Sequence, residues 1–275
     1  METNPEIGRR IVVDGIATNY HDLGQGQPVL LIHGSGPGVS AFANWRLNMG
    51  PLSANRRVLA PDMIGFGYTE TPAGPEFSMA RCLRHLTGFI EGLNLGPVDV
   101  VGNSFGGALA LALAAYAPER VRRLVLMGAA GVEFQLTEGL DRVWGYQPSI
   151  ETMRELIGIF SFDPARATEE LVRLRYEASI RPGVHERFAA LFPAPRQRWV
   201  SALATDEAEI AAIDKPALIL HGREDRVIPP ANALRLFQLL PRAELHMFGR
   251  CGHWTQIEHA ARFNALVDNF LSGDA

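Results

Sequence analysis

Cysteine is nearly missing from this chain. Cys82 and Cys251 are the two in 275 residues, too few for a disulfide framework. No H-x-x-x-H and no paired-cysteine spacing occurs, so neither a metal nor a cofactor is expected. Long apolar runs are missing too. The longest, Ala108 to Ala117, is about half of what spans a bilayer. There is no basic stripe: the net charge is −4 with acids and bases interspersed, which argues against nucleic acid or an anionic membrane as partner. The opening residues METNPEIGRR carry acids and no apolar core segment, so a secretory signal is not expected. A soluble cytoplasmic protein is the expectation. Repeats and low-complexity tracts are also lacking.

What is present is a 47% hydrophobic chain, enough for one large domain or one domain with an insertion. Ile11–Val13, Asp14-Gly15 and Ile16–Tyr20 read as an antiparallel hairpin, because Asp-Gly between apolar runs favours a tight turn. Strand-like runs follow at Val29–His33, Val58–Asp62, Val98–Gly102, Leu124–Met127, Ala217–His221 and Glu244–Phe248. Continuous Val/Leu/Ile runs suit strands buried on both faces, hence a mostly parallel sheet. Helix-like segments alternate with them at Met79–Leu93, Phe105–Tyr116, Ala231–Leu240 and Ala260–Leu271. This alternation predicts an α/β fold with helices on both faces of the sheet.

One region breaks the pattern. Between Phe134 and Trp199 only helix-like stretches (Ser149–Phe160, Thr168–Ser179) and proline-rich turns appear. The expected organisation is a core of residues 1–133 and 200–275, with 134–199 inserted as a helical lid over the end of the sheet where ligands gather.

The stretch Gly102-Asn103-Ser104-Phe105-Gly106 lies between an expected strand and an expected helix. That is the context in which G-x-S-x-G forms a nucleophile elbow. Side chains two places either side of the serine would collide with the neighbouring strand and helix, and glycine removes the collision. Ser104 is then held on a strained corner at the positive end of a helix.

A serine hydroxyl needs a base, and the base needs an orienting acid; in this fold the chain order is serine, acid, histidine. Of the five histidines after Ser104, His185 falls in the lid, His221 and His246 in strands, and His259 in the last helix. His253, in Phe248-Gly-Arg-Cys-Gly-His-Trp254, follows the final strand and is the best placed. Asp225 in Gly222-Arg-Glu-Asp-Arg-Val-Ile-Pro229 is the favoured acid, with Glu224 the alternative. After the first parallel strand, His33-Gly34-Ser35-Gly36-Pro37-Gly38 matches the loop whose backbone N–H helps form an oxyanion hole. Ser35 and Phe105 would be the two N–H donors, and His33 a structural brace. Losing one such donor typically costs about 3 kcal/mol in the barrier.

At this point the chain resembles a specific family. HGSGPG with Asn44-Trp45-Arg46, APDMIGFG, VGNSFGGALALALA, RRLVLMG, the segment Leu171–Gly183, HGREDRVIP and FGRCGHWTQIEHAARF are similar to the meta-cleavage product hydrolases. These are the carbon–carbon bond hydrolases of bacterial aromatic degradation, within the α/β-hydrolase superfamily. The likeness spans nearly the whole chain and is strongest to enzymes of 2-hydroxymuconic semialdehyde or its 6-alkyl relatives. It implies an anionic substrate, a 2-hydroxy-6-oxohexa-2,4-dienoate, split by water to 2-hydroxypenta-2,4-dienoate and a carboxylic acid. It also implies Ser104, Asp225 and His253 as the triad and Ser35 and Phe105 as oxyanion donors. Asn44, Asn103, Arg175 and Trp254 are implied at the dienoate end, with Gly34 as a further substrate-binding residue and Phe160 as an aromatic lid residue lining the pocket. Homo-oligomers, dimers or tetramers, are implied by resemblance only.

Chemistry supports a cation there. Cleaving a C–C bond requires stabilising a carbanion. Once the dienol becomes a ketone, the released electrons delocalise toward the C2 oxygen and the carboxylate. Arginine has the planar fork that matches a carboxylate. Taken alone, however, Arg175 reads equally as a solvated helix arginine, and Asn44 as a cap of the following turn. Trp45, Trp144 and Trp199 read as packing. With a net negative charge, capture of an anion must be local. The competing readings are a carboxylesterase on the same triad and a non-catalytic small-molecule binder.

Overall fold

Alternation along the strands decides the architecture. In the computed structural model, which describes residues 4–71 and 77–273, eight strands form one sheet. They are β1 (Arg9–Val13), β2 (Ile16–Leu23), β3 (Pro28–Ile32), β4 (Arg57–Pro61), β5 (Val98–Asn103), β6 (Val121–Met127), β7 (Ala217–Gly222) and β8 (Ala243–Phe248). Residues 1–3, 72–76 and 274–275 of the expected core lie outside the described residues. The strand order is β1-β2-β4-β3-β5-β6-β7-β8. The hairpin turns at Asp14 and Gly15, both with positive φ, which matches the right-handed twist of the strands it joins. β2 runs antiparallel to β4, and every pairing from β4 across to β8 is parallel.

Both faces of the parallel strands are apolar because both are covered. Leu30, Ile32, Val100, Leu124, Leu126 and Ile219 face one core. There they meet α3 (Met79–Gly92), α4 (Phe105–Tyr116) and α11 (Pro230–Leu239). Leu31, Val101, Val125, Met127 and Leu220 face the other core. It is closed by α1 (Ala41–Trp45), α2 (Met49–Leu52) and α13 (Ala260–Ser272), which follows the short α12 (Thr255–Glu258).

Between β6 and β7 run α5 (Glu138–Trp144), α6 (Ile150–Phe160), α7 (Glu169–Ser179), α8 (Val184–Leu191), α9 (Gln197–Leu203) and α10 (Glu207–Ala211). Hydroxyl caps start several of them: Thr137, Ser149 and Thr168 accept the N–H groups of Leu140, Thr152 and Leu171, satisfying donors the first turn leaves free. Their apolar faces, from Leu140 to Leu203, join the core over the carboxyl ends of the strands. The helices α1, α2, α5, α8, α9 and α10, which the sequence does not announce, are four to eight residues long, too short to display a 3.6-residue period. Helix α9 passes through residue 199, where the sequence suggested that the insertion ends. His259 corrects one placement: it sits between α12 and α13 rather than inside the last helix.

Candidate active site

Ser104 occupies the corner between β5 and α4 with φ 56° and ψ −114°, a strained combination for a residue with a side chain. Its N–H donates to Met127 O at 2.9 Å and its carbonyl accepts from Ala130 N at 3.2 Å, which fastens the corner to the end of β6. The flanking glycines are steric necessities. A Cβ on Gly102 would lie 2.3 Å from Gly106 O, and one on Gly106 would lie 2.2 Å from Ile32 O.

The segments after β7 and β8 are held together by their backbones. Glu224 N donates to Cys251 O at 3.0 Å and Arg223 N to Phe248 O at 2.8 Å. Asp225, not Glu224, faces His253: Asp225 Oδ2 lies 2.7 Å from His253 Nδ1. Asp225 Oδ1 accepts the N–H groups of Val227 at 2.8 Å and Ile228 at 3.0 Å. Glu224 instead accepts from Cys251 N at 3.0 Å and pairs with Arg223 at the surface. Burial alone would raise the Asp225 carboxyl, but the His253 charge and the surrounding donors outweigh it and hold the group below the usual carboxylate range. With Nδ1 turned to the acid, Nε2 is the ring nitrogen left for chemistry. Gly128 links this pair to the serine corner. It follows Met127, which bonds Ser104, and a Cβ on it would lie 3.2 Å from the His253 ring and 3.4 Å from Asp225 Oδ2.

The loop after β3 closes the site. A Cβ on Gly34 would meet Asn103 Oδ1 at 2.8 Å and Ser104 Cβ at 3.3 Å, so this peptide lies against the serine. Gly34 N donates to Asn44 Oδ1 at 3.4 Å, so Asn44 reaches back to the loop instead of capping a turn. His33 braces the loop: Nε2 accepts Met63 N–H at 2.9 Å, leaving Nδ1 to donate to Gly34 O at 2.8 Å. Burial lowers its pKa to about 4, keeping it neutral. Phe105, whose N–H opens α4, turns its ring into an aromatic cluster with Phe66, Phe77 and Phe192.

One pocket collects Gly34, Asn44, Asn103, Phe160, Arg175, His253 and Trp254, together with Ser35, Met153 and Ile157. Arg175, on α7, is half-buried and donates to Pro37 O at 3.1 Å. Burial lowers its pKa; Glu6 opposes that shift, while Arg46 and Arg181 add to it. Phe160 does more than line the pocket. Its ring stacks on His253 and on Trp254, with centroids 5.9 and 4.9 Å away, and its carbonyl accepts both of their N–H groups.

Residues 27–260 match the alpha/beta hydrolase fold family. The chain is 58% identical to 2-hydroxymuconate semialdehyde hydrolase of Pseudomonas sp. strain CF600, over 98% of this chain and 96% of that one. It is 56% identical to 2-hydroxy-6-oxo-2,4-heptadienoate hydrolase of Pseudomonas putida, over 98% of each. The solved meta-cleavage product hydrolase of Pseudomonas fluorescens IP01, a serine-to-alanine mutant complexed with acetates, superposes with a TM-score of 0.96. It has 56% identity, and 98% of each chain is covered. The chain belongs to the meta-cleavage product hydrolases of the α/β-hydrolase fold.

In this hydrolase two contacts have no counterpart in the sequence patterns. Trp144, on α5, donates its indole N–H to Ser35 Oγ at 3.1 Å while stacking on Phe192 at 4.5 Å. A buried tryptophan needs such a partner, but nothing local indicates one 109 residues away. His221, in β7, places Nε2 3.3 Å from Asp225 Oδ2 and 3.0 Å from Ile228 O. Its four-residue spacing to Asp225 is visible in the sequence, but not that the loop folds back. Among the described residues no helix is long and apolar enough to cross a membrane.

Proposed function

We propose that this protein adds water across the C5–C6 bond of a 2-hydroxy-6-oxohexa-2,4-dienoate bearing hydrogen or a small alkyl group at C6. The products are 2-hydroxypenta-2,4-dienoate and formate or the corresponding short carboxylic acid. His253 Nε2 takes the proton released when oxygen adds to the C6 carbonyl at Ser104, and Asp225 holds the imidazole in the required tautomer and stabilises its charge. The N–H groups of Ser35 and Phe105 receive the developing oxyanion. Arg175, Asn44, Asn103 and Trp254 hold the carboxylate and C2 oxygen, where the electron pair of the breaking bond delocalises. The helices of residues 134–199 act as the lid that excludes water from the ketonised intermediate.

The observation carrying this reading is that His253 and Arg175 line the same pocket. An ordinary esterase on this triad has no need of a guanidinium in the pocket that its imidazole lines. The relatives' substrates, a semialdehyde and a heptadienoate, support hydrogen or methyl at C6.

The test compares two substrates in the Arg175→Ala variant. Cleavage of the dienoate should fall by about 100-fold or more, while hydrolysis of neutral p-nitrophenyl acetate stays within a few-fold. Equal effects on both substrates would favour the esterase.

A further inference from the structure

Next to the pocket lined by His253 and Arg175 lies a wider cavity of about 410 Å³. The two share Val39, Asn44, Arg175 and Trp254 as lining, so they adjoin at these four residues. The outer cavity adds two cations, Arg46 from the end of α1 and Arg166 from the turn before α7.

These three arginines are held by backbone carbonyls. Arg46 donates to Ala43 O at 2.8 Å, Arg166 to Glu258 O at 3.2 Å and Arg175 to Pro37 O at 3.1 Å. Among the described residues no carboxylate oxygen comes within 4.0 Å of any of them. Glu258, the acid beside Arg166, gives its carboxylate to Phe162 N and Gly252 N, both at 2.8 Å. Glu6 acts on Arg46 and Arg175 only through space. A carbonyl orients a guanidinium without cancelling its charge, so three guanidinium charges stand against the two nearby carboxylates, Glu6 and Glu258, and the balance at the cavity is positive on a chain whose net charge is −4. A concave positive site raises the local concentration of anions and their capture rate.

We propose that this cavity is the access port and external binding site for small carboxylates. Arg46 and Arg166 draw the dienoate in and pass its carboxylate to Arg175, and the acid products leave by the same route. This rests on the dienoate hydrolase reading above. Neither Arg46 nor Arg166 touches reacting atoms; they act on capture.

The experiment uses Arg46→Gln, Arg166→Gln and the double variant. Association of sorbate, a plain dienoate anion, is followed by stopped-flow tryptophan fluorescence from about 10 to 300 mM salt, a range over which screening becomes strong. Dienoate and p-nitrophenyl acetate turnover are measured alongside. The expected result is a threefold to tenfold slower sorbate association at low salt, converging with the parent at high salt. Dienoate kcat/KM should fall in parallel, with kcat held within twofold and ester hydrolysis unchanged. Parent-like association rates and salt slopes in the double variant would overturn the port, as would an equal loss on the neutral ester. If the parent fails to turn over any dienoate while sorbate association still depends on these arginines, the port stands and the substrate assignment falls.

Discussion

The indole N–H of Trp144 donates to Ser35 Oγ across 3.1 Å, tying a helix of the insertion to the loop that lies against Ser104. The ring is fixed in turn by its stacking on Phe192. A hydrogen bond of this kind contributes about 1 kcal/mol, and a small displacement of an oxyanion donor is costly in rate. Trp144→Phe keeps the ring and loses the N–H. It should lower kcat about threefold to tenfold with little change in melting temperature. Ser35→Ala should show a similar loss, and the two losses should not add in the double variant. Full additivity would mean that the contact only packs.

The acid assignment separates two adjacent carboxylates. His253→Ala should cost roughly 100- to 10,000-fold in turnover, and Asp225→Asn should fall in the same range. Glu224→Gln should keep turnover within a few-fold, because its carboxylate accepts from the backbone at Cys251 and pairs with Arg223 instead of meeting His253. Steady-state kinetics of the three variants checks this ordering.

Acid stability follows from buried histidines. Burial lowers both His33 and His85 from 6.5 to about 4. The unfolded chain therefore binds more protons between those values, and their stabilisation, complete above about pH 6.5, is lost as pH falls toward 4. Asp62 works the other way: burial raises it from 3.8 to about 6, so its protonation favours the fold as pH falls through that window. Two histidines outweigh one aspartate, and net loss on acidification is expected. His85 Nε2 pairs with Thr18 Oγ1 at 2.7 Å, a bond glutamine can replace. Denaturant midpoints of His85→Gln between pH 7 and 4.5 should fall less steeply than the parent's, by on the order of 3 kcal/mol in stability. Parallel curves would place His85 in contact with solvent.

The glycines of the serine corner should be irreplaceable, and one elsewhere should not. Gly106→Ala drives a Cβ against the Ile32 and His33 carbonyls, at 2.2 and 2.6 Å, and should destabilise by at least about 3 kcal/mol. Gly158, inside α6, meets nothing within 4 Å, and Gly158→Ala should stabilise by about 0.5–1 kcal/mol. Thermal melts of both variants decide it.

Much of the fold was legible because buried strands announce themselves: β3, β5, β6 and β7 read as unbroken apolar runs when both faces are covered. Ser104 was legible because a corner that tolerates no Cβ at Gly102 or Gly106 leaves a glycine pattern. Asp225 was favoured over Glu224 in the sequence, but what fixes the choice was not legible there: it depends on which side chain folds back onto Val227 N and Ile228 N. Nor were the Trp144–Ser35 contact and the pairing of Arg46 with Arg166. Each joins segments more than 100 residues apart, and neither member of a pair carries a local pattern. Arg175 stood between: its side chain suits a carboxylate, but its burial depends on tertiary packing.

The most direct test of C–C hydrolysis is product stoichiometry. The purified protein is mixed with 2-hydroxymuconic semialdehyde, and the acids are counted by proton NMR as the yellow dienolate bleaches. One formate and one 2-hydroxypenta-2,4-dienoate should appear per substrate consumed, and Ser104→Ala should release neither at a comparable rate. Bleaching without formate, as simple tautomerisation would give, or formate released equally fast by Ser104→Ala, would contradict it.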